Sequence, residues 1–164
     1  MTRHALLTLL VVLSISSVPA SPMFQTFDKA GFYSVMASGK LEDIDAELSV
    51  LEASAVKEKE AYEGALLMRK AGLLSRPKQK LTTFKSGYIK MESSMQRDSG
   101  NVEYHFLRLM IQEHAPKVVH YEKDQEKDSQ DIIRSFRSLS PTLQNAIRNY
   151  CPHSKLLHEK MLNG

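Results

Sequence analysis

The chain has 164 residues, 42% of them hydrophobic and 25% charged, which is the composition of an ordinary globular protein. Seven glycines, six prolines and a single cysteine exclude a collagen-like repeat, a proline-rich linker and a disulfide-stapled miniature. Lys and Arg number 22 against 19 Asp and Glu, and a net charge of +3 is too slight for a dedicated nucleic-acid binder, so no nucleic-acid partner is expected.

The first element is a targeting pattern. Met1-Thr2-Arg3-His4 is a short basic start, Ala5 to Leu13 is an almost unbroken apolar run, and Ser17-Val18-Pro19-Ala20 follows. Val18 and Ala20 put small residues three and one positions before a cut, so residues 1–20 read as a secretory signal cleaved ahead of Ser21. The apolar run is shorter than the ~20 residues that span a bilayer, and no cysteine stands near the cut to carry a lipid. The expectation is export to a periplasmic or extracellular location, with no membrane attachment after cleavage. Residues 21–164 then form one domain, large enough for a single core without metals or disulfides. Cys151, with no partner in the chain, is expected to be buried.

After Ala20 the chain reads as helix nearly throughout. Val, Ile and Thr make up only 16 of these residues, and no stretch sustains the apolar and polar alternation of a strand. Phe24, Phe27, Phe32 and Val35 form a first helical stripe, and Leu41, Ile44, Leu48 and Leu51 a second. Leu81, Phe84, Tyr88, Met91 and Met95 recur at three and four residues and are expected to face the core together. Ile132, Ile133, Phe136 and Leu139 form another stripe, and Leu143, Ala146, Ile147 and Tyr150 a last one. Between the stripes lie stop and start signals: Ser38-Gly39, Ser75-Arg76-Pro77, Asp98-Ser99-Gly100-Asn101, Pro116, Ser140-Pro141 and Pro152. The expected fold is all-α, a single domain of six to eight antiparallel helices packed as helical hairpins.

Two segments differ from the amphipathic norm. The helix from Asn101 to His114 is apolar around almost its whole circumference and is placed at the centre of the core. Lys123 to Asp131 is polar on every side and reads as a solvated helix end or exposed turn. A faint internal echo relates Tyr62–Met68 to Tyr104–Met110, and Ala61, Tyr62, Ala65 and Phe84 look like degenerate tetratricopeptide packing positions.

The runs Met68–Leu73, Phe84–Glu92 and Asn101–Pro116 together resemble a group of small exported helical proteins of bacteria. The resemblance covers about residues 55–150, and Glu103-Tyr104-His105-Phe106-Leu107-Arg108-Leu109 is its most specific part. It implies export and an all-helical architecture, and carries no activity with it.

No catalytic residue, cofactor site or metal ligand set emerges. His105, His114, His120, His153 and His158 include no pair three or four apart, the spacing that puts two imidazoles on one helix face, so they read as scattered surface residues. Met91 and Met95 continue an apolar stripe and read as core rather than as thioether ligands. There is no Gly-X-Ser-X-Gly elbow and no phosphate-cradling Gly-rich loop, and Cys151 lies too close to His153 for a nucleophile and base that meet across a fold. Arg108 stands out, because a guanidinium inside an apolar helix needs a carboxylate or carbonyl partner. Glu92 and Glu63 are the candidates for an inter-helix pair. Alternatively, Arg108 with Tyr104 and Gln112 lines a groove that clamps an anion or a chain terminus. The expected function is that of an exported, non-catalytic protein mediating protein or peptide interactions, on the concave faces that stacked hairpins provide. The alternative is a small-ligand-binding protein or small hydrolase with a polar pocket around Arg108. A closed core around residues 104–112 favours the first, and an open polar pocket there favours the second.

Overall fold

The computed structural model describes residues 26–162, so the expected signal segment and Phe24 lie outside the described residues. Eight α-helices occur among them, joined by short turns, with no strand. The fold is all-α, as the stripes and stop signals imply.

Helix boundaries follow local chemistry. α1 (Lys29–Ser38) begins at Asp28, whose carboxylate accepts hydrogen bonds from the amides of Ala30 and Gly31, and it ends at Gly39 with φ 63°, a left-handed conformation that favours glycine. α2 (Leu41–Ala53) places Glu42 and Asp43 at its positive N-terminal end. α3 (Lys59–Leu73) and α4 (Pro77–Arg97) are separated by the Ser75-Arg76-Pro77 break, with Pro77 in the first turn, where its missing N–H costs nothing. α5 (Val102–Gln112) is capped by Asn101, whose side chain accepts from the Glu103 amide. α6 (Gln125–Ser135) follows a 3₁₀ turn at Lys117–Val119, and α7 (Pro141–Tyr150) is capped by Ser140. The short α8 (Glu159–Leu162) closes the described chain.

α3 and α4 form the most extensive helix pair, and glycine is the reason. A Cβ on Gly87 would sit 2.6 Å from the Gly64 carbonyl oxygen, and one on Gly64 would sit 2.9 Å from that of Gly87. The two backbones are in contact, with Ala61 and Ala65 buried alongside. This contact also sets the rotation of α4. Gly87, Met91, Ser94 and Met95 are buried, whereas Leu81 is 65% and Tyr88 42% exposed. Leu81 and Tyr88 lie about 100–120° around the helix from Gly87, so the stripe expected to face the core together is split. Met91 and Met95 are core, Leu81 and Tyr88 are surface, and Phe84 is half-buried against the core.

α5 occupies the centre, with nine of its residues buried: Glu103 to Leu109, Ile111 and Gln112. An aromatic chain runs past it, Phe32 against Tyr62 (4.7 Å between ring centres) and Tyr33 (5.2 Å), then Tyr33 to Phe106 and Phe106 to Tyr150 (both 5.7 Å). Cys151 is buried, and burial, aided by Glu159, pushes its thiol pKa up, away from the reactive thiolate. α6 departs from expectation. The polar segment contributes Asp128 and Ser129 to the interior, with Asp128 fully buried.

Because neither backbone at the α3–α4 crossing is free to yield without separating the helices, Gly87→Ala is expected to destabilise the fold by about 1–3 kcal/mol or more. A urea melt would measure this, and a variant within ~0.5 kcal/mol of wild type would mean that the pair opens without cost.

Candidate functional site

Arg108 finds its partner on α6. Its Nε and Nη2 donate to Oδ2 and Oδ1 of Asp128, each at 2.7 Å, the bidentate geometry that suits a guanidinium. Glu92 is only an outer neighbour, 3.6 Å from Nη1 and bonded instead by the Tyr121 hydroxyl, while Asp124 lies 3.5 Å from Nη1. Glu63 pairs with Lys90 and does not reach Arg108. The expected inter-helix pair with Glu92 therefore exists at the longer distance, Glu63 takes no part, and the hydrogen-bonded partner is an acid from the segment read as solvated. Two cationic donors make burial of that acid tolerable, because His105 also reaches it, with Nδ1 2.6 Å from Asp128 Oδ1. His105 is likewise buried, contrary to its reading as a surface histidine.

The second nitrogen of His105, Nε2, lies 2.9 Å from the Ser99 carbonyl oxygen. Both ring partners are acceptors, and only the doubly protonated imidazolium donates to both. Burial lowers the pKa of His105, but the Asp128 hydrogen bond, the Ser99 carbonyl and the Asp128 charge outweigh it and leave the pKa raised, against a smaller opposing effect of Lys127. A histidine with a raised folded-state pKa contributes fully below its unfolded value of 6.5 and loses that contribution as pH rises through the folded value.

Tyr104, Arg108 and Gln112 do not surround an opening. All three are buried, and the Gln112 Oε1 accepts no hydrogen bond. Tyr104 to Leu109 and Gln112 form closed core, whereas Met110 and Ile111 turn toward the cavity described below. Two further acids, Glu103 in α5 and Glu113 at its C-terminal cap, are tied in the same manner. Glu103 accepts from Lys29 Nζ at 2.7 Å and from the hydroxyls of Tyr33 and Tyr62 at 2.8 Å. Glu113 accepts from the Tyr150 hydroxyl at 2.7 Å, from Ser154 Oγ at 3.0 Å and from the amides of Lys155 and Leu156. Burial first, and then the neighbouring carboxylate, holds the Tyr33 and Tyr62 hydroxyls well above the usual tyrosine range, so they remain protonated donors.

The accessible site lies elsewhere. A cavity of about 840 Å³ runs between α1, the C-terminal parts of α3 and α5, the start of α4, the 3₁₀ turn and α7. Met36, Met68, Phe84, Met110, Ile111 and Val119 give it an apolar wall. Small residues make the room: Ala30, Ser34 and Ala37 recur at helical spacing along α1, facing Ala71 and Gly72 of α3 and Ala146 of α7 across the cavity. It opens to solvent past Leu81, Val118 and His153, all exposed. Arg69 and Lys80 carry positive charge on its lining, His114 and His153 are its histidines, and no described Asp or Glu lines it. Arg69 is steered by its Nε donating to the Met36 carbonyl at 3.3 Å, and no described carboxylate pairs with it. Burial, together with Arg69, Lys155 and His153, lowers the His114 pKa despite the opposing charge of Glu113, so His114 is neutral near pH 7. The size falls within the ~300–1,000 Å³ of small-molecule sites.

Sequence reasoning missed this cavity because no motif marks it. The Ala30, Ser34 and Ala37 spacing is the one local signal, small residues on a helix face where large ones would fill the space. Among the described residues no group of three His, Cys, Asp or Glu could hold a metal ion, and no helix is long and apolar enough to cross a membrane. No protein-family model matches the chain, and no curated protein or solved structure shows significant similarity to it.

The imidazolium gives a pH test. The loss of stability in His105→Gln relative to wild type should be larger at about pH 5.5 than at about pH 8.5, as measured by denaturant melts at both. An equal loss at both values would mean that His105 is held neutral.

Proposed function

We propose that this chain is an exported, non-catalytic binding protein that holds an elongated apolar molecule with an anionic end in the cavity between α1, α3, α4, α5 and α7. The observation that carries this reading is the lining itself: an apolar wall with Arg69 and Lys80 on it and no Asp or Glu among its described residues. Apolar surface supplies the affinity and the cations fix the orientation. The Arg69 guanidinium is suited to a carboxylate or phosphate end through two parallel N–H donors. Export, to a periplasmic or extracellular location, is supported by the N-terminal pattern of a basic start, an apolar run and small residues before Ser21.

Two facts support a non-catalytic role. The Asp128–His105 pair has the chemistry of a general base, but its outward nitrogen is occupied by the Ser99 carbonyl and the pair is buried. The region around Arg108 is closed, which takes support from a hydrolase or polar pocket there. The peptide-binding reading keeps one observation in its favour, since a peptide with an apolar C-terminal end presents the same combination of apolar surface and carboxylate to Arg69.

Titration of the full chain with a dansylated undecanoic acid, followed by fluorescence, tests the proposal. Saturable binding is expected, displaced by dodecanoate far better than by dodecanol. Arg69→Gln should weaken it roughly tenfold or more, and Ala146→Phe, which fills the cavity, should abolish it. A peptide acid that displaces the probe better than dodecanoate, with its amide inert, would move the reading to peptide binding. No saturable binding, or an unchanged affinity in Arg69→Gln, would overturn it.

A further inference from the structure

We propose that the exposed face of α4 from Lys78 to Ile89, with the neighbouring 3₁₀ turn, is a docking surface for an anionic lipid bilayer. The inference stands apart from the cavity reading, because it concerns the outer surface and does not need a ligand within.

The first observation is charge. Residues 64–91 hold seven Lys and Arg and no Asp or Glu, a concentration that the near-balanced total conceals. Lys70 is paired with Asp45 and Lys90 with Glu63. Arg69, Arg76, Lys78, Lys80 and Lys85 form no ion pair with a described carboxylate. The second observation is exposed apolar surface. Six large hydrophobic residues are exposed among those described, and five are here: Leu73, Leu81, Tyr88, Ile89 and Val118. Leu81 is 65%, Ile89 52% and Val118 81% exposed. At 100° per residue, Lys78, Leu81, Lys85, Tyr88 and Ile89 fall within roughly 100° of the α4 circumference. Leu81 and Val118 both line the cavity mouth, which joins the helix face to the turn.

Lysines interleaved with protruding aliphatic and aromatic side chains suit the boundary between headgroups and acyl chains. The lysines meet anionic headgroups while the apolar tips enter just below them. The other occupants fit less well. A nucleic acid would use the cations but leave Leu81, Ile89 and Val118 without bases to stack on, since stacking needs aromatic faces or guanidinium planes. A second copy related by a two-fold axis would set the same cations against one another. This departs from the expectation that the exported chain has no membrane partner. That expectation rested on the N-terminal segment, as a spanning or lipid-carrying anchor, whereas this face lies elsewhere and meets only the surface.

The test is co-sedimentation of the full chain with vesicles of phosphatidylcholine alone or mixed with phosphatidylglycerol, with wild type and variants compared in parallel so that the N-terminal apolar run contributes equally to all. Wild type should bind the anionic vesicles preferentially, and the preference should fall as salt is raised. Charge reversal at Lys78→Glu with Lys85→Glu should reduce that binding by roughly tenfold or more. Lys57→Glu with Lys160→Glu, which makes the same change in net charge at exposed sites outside the segment, should reduce it far less. Leu81→Ser with Ile89→Ser should weaken it without removing its salt dependence. Equal binding to both vesicle types, or equal losses in the two charge-reversal variants, would overturn the proposal. Retention of an oligonucleotide with no retention of vesicles would do the same. Ala146→Phe separates the two readings, because it should lose the fatty-acid probe and keep the vesicles.

Discussion

The bidentate pair between Arg108 and Asp128 is the constraint on which the arrangement of the helices depends. A carboxylate with no exposed surface persists only where its charge and lone pairs are met, and here a guanidinium and an imidazolium meet them from one helix. This fixes α6 against α5 at a single register. Two other acids repeat the device at the ends of α5. Glu103 gathers α1 and α3 through Lys29, Tyr33 and Tyr62, and Glu113 gathers the end of α7 through Tyr150 and the segment after it through Ser154 and two backbone amides. Apolar burial supplies most of the driving force but is indifferent to register. The directional bonds along α5 select one packing.

How much of this was legible follows from which forces are local. Helix starts and ends depend on a few adjacent residues, and Gly39, Asn101, Pro77 and Ser140 act where their chemistry indicates. The central position of α5 follows from its all-round apolar character. The Arg108 pair was legible in kind and, through Glu92, in part of its partners, but its bidentate acid was not, because Asp128 sits in a charged run that looks solvated unless the opposing cations are known. The split of the α4 stripe was hidden because helix rotation is set by the Gly64–Gly87 contact, a long-range event between two residues that carry no side chain. The cavity was least legible, since it is a space left by Ala30, Ser34, Ala37 and their counterparts and has no residue of its own.

The two halves of the molecule use charge differently. Around α5 the buried acids Glu103, Glu113 and Asp128 are each met by donors. Along the α3–α4 turn the cations lie in a stretch without acids, beside exposed apolar side chains and the mouth of an apolar cavity. A rigid, internally satisfied centre is a suitable frame for such a face, because the binding side can leave its charges unmatched while register is held elsewhere. This division connects the fold to the proposed function: α5 presents Met110 and Ile111 to the cavity while its polar side chains hold the helices around it.

A double-mutant comparison at Arg108 and Asp128 tests the central claim most directly. Arg108→Ala should lower the unfolding free energy by ~3–5 kcal/mol, because it leaves Asp128 buried with half its partners gone. Arg108→Met combined with Asp128→Leu should recover much of that loss, since no buried charge then remains unpaired. An Arg108→Ala variant within ~0.5 kcal/mol of wild type, or a double variant no more stable than the single one, would contradict the account.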